Sequence, residues 1–248
     1  LLMVAEAFLN PGDSVIIEEY CYPGTLRAFS YCEPHYVTVP NDNEGIIVTE
    51  LAHVLDRLTA QGVTPKFIYT IANFQNPTGS VMSLARRQAL MRVAEDRRLL
   101  VIEDDAYGDL IYEGEPVTSL YALSHTHNVV RLGTFSKIVA AGVRLGWIIS
   151  PEPVLAKMAV SKIDGGTSAF TSRAVAEYLQ AHLDDRMDTL LGVYRAKRDA
   201  MLEALEEHLA GVATWSQPKG GLFIWVCLPE GVDTTKLLEA AHAAGVTY

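Results

Sequence analysis

A lysine follows two hydroxyl residues and precedes an arginine by seven positions in Thr134-Phe135-Ser136-Lys137-Ile138-Val139-Ala140-Ala141-Gly142-Val143-Arg144-Leu145-Gly146. What lies between is apolar or small, an odd setting for a surface lysine. Apolar surroundings disfavour the charged form of a lysine and leave its amine available as a nucleophile. Such amines form Schiff bases with carbonyls, among them the aldehyde of pyridoxal phosphate. Thr134, Ser136 and Arg144 are donors suited to a phosphate, which an arginine can grip through two parallel bonds. The alternative is a Lys and an Arg flanking a buried turn.

Two more polar clusters follow short apolar runs. In Asn73-Phe74-Gln75-Asn76-Pro77-Thr78-Gly79, Asn76 can donate a hydrogen bond while Pro77 and Gly79 fix a tight turn. A plain turn explains the same run. In Glu103-Asp104-Asp105-Ala106-Tyr107, adjacent acids repel unless they face different partners. A buried carboxylate needs a positive partner, such as a protonated pyridine nitrogen. The period of two along residues 99–105 turns Asp104 the way of Leu100 and Ile102, leaving Asp105 as a structural or capping residue. Helix capping and metal binding are the alternatives for these acids. No His stands nearby to complete a transition-metal site.

These clusters need elements to position them, and strand and helix alternate along the chain. Leu1–Leu9 reads as a helix already under way. Strands are expected at Ser14–Ile17, His35–Val39, Lys66–Thr70, Leu99–Glu103, Val129–Leu132 and Trp147–Ile149. Helices are expected over residues 24–31 and 49–60, the latter burying Leu51, Val54, Leu55 and Leu58. Ser83 is placed to cap a helix to about Arg98, with Leu84, Leu90, Met91 and Ala94 on its buried face. Short apolar strands alternating with helices predict an α/β fold with a mostly parallel sheet sandwiched by helices. From about Asp184 the character changes. A charged amphipathic helix over 184–209, a strand over Leu222–Val226 and a helix over Thr234–Ala244 suggest the start of a smaller α+β domain. Residues 1–184 then form a large cofactor-binding domain and 185–248 the connecting helix and the beginning of the small one. In open α/β sheets ligands gather outside the carboxyl ends of the strands, where all three polar clusters fall.

Composition narrows the function classes. With 49% apolar and 20% charged residues the chain reads as globular. A net charge of −10 argues against nucleic-acid binding by this segment and against an anionic membrane surface. The three cysteines, Cys21, Cys32 and Cys227, have neither metal-ligand spacing nor a disulfide pattern, so a reducing, cytoplasmic setting is expected. No metal site is expected.

Together, Asn-Pro-Thr-Gly at 76–79, Asp-Asp-Ala-Tyr at 104–107 and Ser-Lys-(x)6-Arg-Leu-Gly from Ser136 resemble the fold type I pyridoxal-phosphate enzymes. The similarity is to the class I and II aminotransferases, in the branch of α-aminoadipate and kynurenine aminotransferases and MocR-type regulators. It covers nearly the whole chain. It implies pyridoxal 5'-phosphate as cofactor and amino-group transfer from an L-amino acid to a 2-oxo acid, by a ping-pong route. Lys137 resembles the family's Schiff-base lysine and proton carrier, and Asp104 the partner of the pyridine nitrogen. Asn76 and Tyr107 match the pair on the ring 3-oxygen, and Tyr22, in Tyr20-Cys21-Tyr22-Pro23-Gly24, the aromatic stacked on the ring. An ordinary core Tyr is the alternative there. Thr134, Ser136 and Arg144 match phosphate ligands. His35, His53, His125, His127, His182, His208 and His242 match no role.

Departures qualify the resemblance. The family's phosphate-binding turn would precede Leu1, and its substrate-carboxylate arginine would follow Tyr248. The sequence is therefore expected to be truncated at both ends, and the whole protein to form a homodimer. An effector-sensing domain of a MocR-type transcriptional regulator is a second reading. A carbon–sulfur lyase or an aldolase of the same fold is a third. Ser136 directly before the lysine disfavours a decarboxylase.

Overall fold

The computed structural model describes residues 1–163 and 166–248. Helix α1 (Leu2–Phe8) leads into β1 (Ser14–Glu18), α2 (Pro23–Ser30) and β2 (His35–Val39). A hairpin of β3 (Asn41–Asp42) and β4 (Gly45–Ile46) precedes α3 (Val48–Ala60), β5 (Phe67–Thr70), α4 (Leu84–Asp96) and β6 (Leu100–Asp104). Then come α5 (Leu120–Leu123), β7 (Val129–Thr134), β8 (Gly146–Ile149) and α6 (Glu152–Val160). The long α7 (Ala169–Leu209) is followed by β9 (Thr214–Trp215), β10 (Val226–Cys227) and α8 (Thr234–Ala243). The main sheet has the order β2-β1-β5-β6-β7-β8. Neighbours are parallel except β8, which runs antiparallel to β7. The α/β class read from the alternation is the one observed.

Successive strand residues point to opposite faces, and both faces are apolar because helices cover both. Val15, Ile17, Phe67, Tyr69, Ile102 and Val130 pack with Val4 of α1, Phe29 of α2, Met158 of α6 and Leu190 of α7. Ile16, Ile68, Val101 and Val129 pack with Leu55 of α3, Leu90 of α4 and Leu120 of α5. Each such side chain contributes about 1.5–3 kcal/mol when fully buried. Phe29 meets the rings of Phe67 and Tyr69 edge-on at 5.4 and 5.7 Å.

Helix α3 buries Leu51, Val54, Leu55 and Leu58 as its spacing predicts. Ser83 caps α4, its Oγ accepting from the Arg86 amide at 3.3 Å. One position on the expected buried face is corrected. Leu84 is 45% exposed, while Arg87 is wholly buried beside Leu90, Met91 and Ala94. Burial of a guanidinium is tolerable only when its donors are paired. Arg87 bonds the carbonyls of Met82 (2.8 Å), Ala72 (3.0 Å), Thr118 (3.2 Å) and Val117 (3.3 Å), and Asn73 Oδ1 (2.6 Å).

The strand expected over Leu222–Val226 is also corrected. Only Val226 and Cys227 pair, because the partner strand offers just Thr214 and Trp215. The long helix starts at Ala169 rather than at 184, capped by Ser168 Oγ on the Thr171 amide at 3.2 Å. It passes residues 184 and 185 without a break. The hairpin and helices α5 and α6 have no counterpart in the sequence reading, being two to nine residues long. Among the described residues no helix is long and apolar enough to cross a membrane.

Glu18, 2% exposed, closes β1 beside the end of β5. It accepts from the Thr70 hydroxyl and, at 3.3 Å, from the Ile71 amide, while among the described residues Oε2 has no hydrogen-bond partner. Burial pushes its carboxyl up from 4.5 to about 7. An acid raised in the folded state destabilises that state once pH exceeds the unfolded value, and does so fully above the folded one. At about 1.4 kcal/mol per unit, the penalty above pH 7 is about 3 kcal/mol. Denaturant titrations from pH 5 to 8 should show parental stability falling as pH rises. Glu18→Gln should remove most of that slope and be the more stable protein at pH 8.

Candidate active site

The parallel strands end at Glu18, Val39, Thr70, Asp104 and Thr134, and the polar clusters occupy the loops beyond them. Because β8 returns antiparallel, Gly146 pairs with Thr134. That return brings Arg144 back to the same end of the sheet.

Three neighbouring acids leave β6 in three directions. Glu103, fully buried, accepts from the amides of Leu120 and Tyr121 at 2.9 and 3.0 Å, capping α5. Asp104 turns to the opposite face, as the period of two predicts, and its Oδ2 accepts from the Tyr69 hydroxyl at 2.7 Å. Asp105 pairs with the Arg131 guanidinium and accepts from Asn73 Nδ2 at 2.8 Å. Gly108 makes room for this: a Cβ there would lie 2.3 Å from Asp105 Oδ1. Arg131 in turn stands 5.5 Å from the centre of the Trp147 ring. Burial raises the Asp104 carboxyl, and donation from Tyr69 works against that rise. Among the described residues, Asp104 Oδ1 accepts no hydrogen bond.

On the same side, Asn76 Nδ2 donates to the Tyr107 hydroxyl at 3.2 Å. Lys137 Nζ lies 5.7 Å from the centre of the Tyr107 ring. Burial raises the Tyr107 phenol, against the Asn76 donation, so the hydroxyl stays protonated. Phe223 packs edge-on against that ring at 5.4 Å. Lys137 itself is half-buried in a tight turn, closed by Val139 N on the Phe135 carbonyl at 2.8 Å. Arg186 of α7 holds the turn from outside, donating to the carbonyls of Ile138 and Val139 at 3.2 Å each.

Tyr22 precedes α2 and is 38% exposed. Its ring folds over Gly24, where a Cβ would come 2.4 Å from ring atoms; only glycine admits that approach. Thr134 Oγ1 accepts from the Ser136 amide at 3.1 Å. Arg144 has a left-handed backbone (φ 49°) and bonds the Ala141 carbonyl at 3.2 Å. The structure thus joins Asn76, Tyr107 and Lys137 through direct contacts, with Asp104 near enough for its charge to raise the Tyr107 phenol. It places Thr134, Ser136 and Arg144 on the adjoining turn.

Sequence reading passed over Thr25, Tyr69, Arg131, Arg186 and Phe223. Tyr69 carried a usable signal, since a phenol in the buried run Phe67-Ile68-Tyr69-Thr70 requires a hydrogen-bond partner.

The donor set fits pyridoxal phosphate. One Asp104 oxygen is open for a protonated ring nitrogen, an Asn–Tyr pair can hold a ring oxygen, and an amine stands beside them. Compared with known proteins, the chain matches the family model for class I and II aminotransferases over residues 1–244. It is 40% identical to aromatic-amino-acid aminotransferase 1 of Thermococcus litoralis, across 99% of this chain and 60% of that protein. It superposes on the kynurenine aminotransferase of Pyrococcus horikoshii, solved in complex with PMP, with a TM-score of 0.96 and 40% identity. That match covers all of this chain and 62% of the other. It is also 35% identical to the HTH-type transcriptional regulator YisV of Bacillus subtilis, over 95% of this chain and 48% of that one. The chain belongs to the class I and II aminotransferases, and spans about three fifths of the length of the two aminotransferases.

The two aspartates should separate in stability. Asp105→Asn removes the charge that Arg131 bonds and leaves it only Glu103, 4.0 Å away, so it should cost about 3 kcal/mol, the low end for a broken buried pair because Arg131 keeps some water and that second acid. Asp104→Asn still accepts from Tyr69 and should stay within about 1 kcal/mol of the parent. Denaturant melts of the intact protein would show it; equal losses would make Asp104 a fold-holding residue as well.

Proposed function

We propose that this aminotransferase-family chain binds pyridoxal 5'-phosphate and, in the whole protein, moves an amino group from an L-amino acid to a 2-oxo acid in two half-reactions. The observation that carries the reading is that, among the described residues, Asp104 Oδ1 accepts no hydrogen bond, while Asn76 and Lys137 meet at Tyr107, whose phenol feels the Asp104 charge. When bound, the cofactor supplies an electron sink for negative charge at the substrate α-carbon.

The residues have separable tasks. Lys137 would hold the cofactor through its Nζ, and the same amine is the group placed to carry a proton. Asp104 would pair with the ring nitrogen and keep it protonated. Asn76 and Tyr107 would hold the ring oxygen, the protonated Tyr107 hydroxyl being able to donate. Tyr22 offers its half-exposed ring as a stacking face. Thr134, Ser136 and Arg144 bind the phosphate, which requires Arg144 to leave its bond to Ala141 or share it. The likeness to aminotransferases named for aromatic amino acids and kynurenine supports a broad pocket for large side chains. A cytoplasmic homodimer is the assembly in which we place the whole protein.

The likeness to a transcriptional regulator favours one alternative, a cofactor-loaded sensor of an amino acid. The test separates the two. The intact protein with pyridoxal phosphate, reduced by borohydride and digested, should carry the cofactor's mass on the Lys137 peptide, and Lys137→Ala should not. Lys137→Ala should also lower turnover by roughly 10²–10⁴-fold or more, the usual scale of proton-transfer catalysis. Turnover with aromatic amino acids or α-aminoadipate supports the enzyme. A labelled Lys137 with no turnover on any amino acid would favour the sensor, and labelling elsewhere would overturn the site.

A further inference from the structure

Behind Asp104 stands a buried hydroxyl relay that the roles above do not use. Tyr69 lies in β5 with 1% exposure. Its hydroxyl donates to Asp104 Oδ2 at 2.7 Å and accepts from Thr25 Oγ1 at 2.7 Å. Thr25 is completely buried in the first turn of α2, three residues after Tyr22. The order of donation is fixed by chemistry. An ionised carboxylate only accepts, so Tyr69 must donate to it, and its remaining lone pair then accepts from Thr25. Burial and the nearby Asp104 charge hold the phenol well above its ordinary range, so it remains a donor throughout the accessible pH range.

A donor to one carboxylate oxygen does two things. It fixes the rotamer of the carboxyl, and it stabilises the ionised form over the neutral one. Where a carboxylate and a ring nitrogen share one proton, stabilising the carboxylate leaves that proton on the nitrogen. We propose that Tyr69, backed by Thr25, is a positioning residue for Asp104: it ties down Oδ2, presents Oδ1, and sets which partner of the Asp104–nitrogen contact holds the proton. The proposal rests on the reading that Asp104 pairs with the cofactor ring. The relay also joins the helix that follows Tyr22 to the strand that carries Asp104. One unit thereby aligns both the face and the edge of the bound ring.

The experiment reads the proton directly. The intact protein is loaded with pyridoxal phosphate carrying ¹⁵N in its ring, and the nitrogen resonance and cofactor affinity are measured for the parent, Tyr69→Phe, Thr25→Val and Asp104→Asn. Asp104→Asn marks the unprotonated position. The parent should sit at the protonated position. Tyr69→Phe should move most of the way toward Asp104→Asn and bind cofactor roughly tenfold more weakly, the scale of one hydrogen bond to a charged group. Thr25→Val, which keeps the phenol, should move the same way by less; if Tyr69→Phe fails to fold, this variant decides. A folded Tyr69→Phe with the parental resonance and affinity overturns the relay while leaving the cofactor site intact. A parent that takes up no cofactor, or whose nitrogen is already unprotonated, overturns the reading of Asp104 on which the relay depends.

Discussion

Three consecutive carboxyls at the end of a buried strand are tenable only if each finds its own partner, and the structure around β6 is arranged by that requirement. The pleat turns Glu103 and Asp104 to opposite faces, and Asp105 leaves as the strand ends. Glu103 satisfies two helix amides and so fixes where α5 begins. Asp105 takes a guanidinium from the next strand and an amide from the loop after β5. Among the described residues, Asp104 accepts only from a phenol. The two acids with full sets of partners hold the fold together; the one left short is the one we propose meets the cofactor. Low dielectric makes this division sharp, since an unpaired buried charge is far more costly than a paired one.

The same economy runs through the loops that carry the other candidate site residues. Asn76, Tyr107 and Lys137 all sit outside regular elements, where backbone would otherwise wander. Arg87 gathers the main chain on both sides of the Asn76 loop, Gln75 reaches the Tyr20 carbonyl, and Arg186 gathers the turn after Lys137. Arginine suits the work because its planar fork offers five donors in fixed directions. Preorganisation of this kind is what a reacting geometry requires, since displacements near an ångström are costly in rate.

What could be read from residue order was whatever rests on local pattern. Alternation located the sheet, and helical spacing located the buried face of α3. Pleat period told Asp104 from Asp105, because side-chain direction in a strand is a local property. What escaped was decided across long stretches of chain. Tyr69 and Asp104 are 35 residues apart and Thr25 and Tyr69 are 44 apart; nothing local marks Thr25 as more than a helix residue. Leu84 was placed on the buried side of α4 and Arg87 was not, because spacing cannot register that carbonyls converge on one point. The strand beyond Gly221 had the right alternation but lacked a partner long enough to pair with it.

Arg87 has a further consequence, for how sequences in this lineage can drift. Four of its five partners are main-chain carbonyls, and a carbonyl is the same whatever side chain it belongs to. As far as hydrogen bonding is concerned, positions 72, 82, 117 and 118 can exchange residues without notice to the arginine. No other residue can replace it, since lysine's donors share a single nitrogen and cannot span acceptors spread over two loops. Selection that would otherwise bear on several loop positions is thus concentrated on one codon.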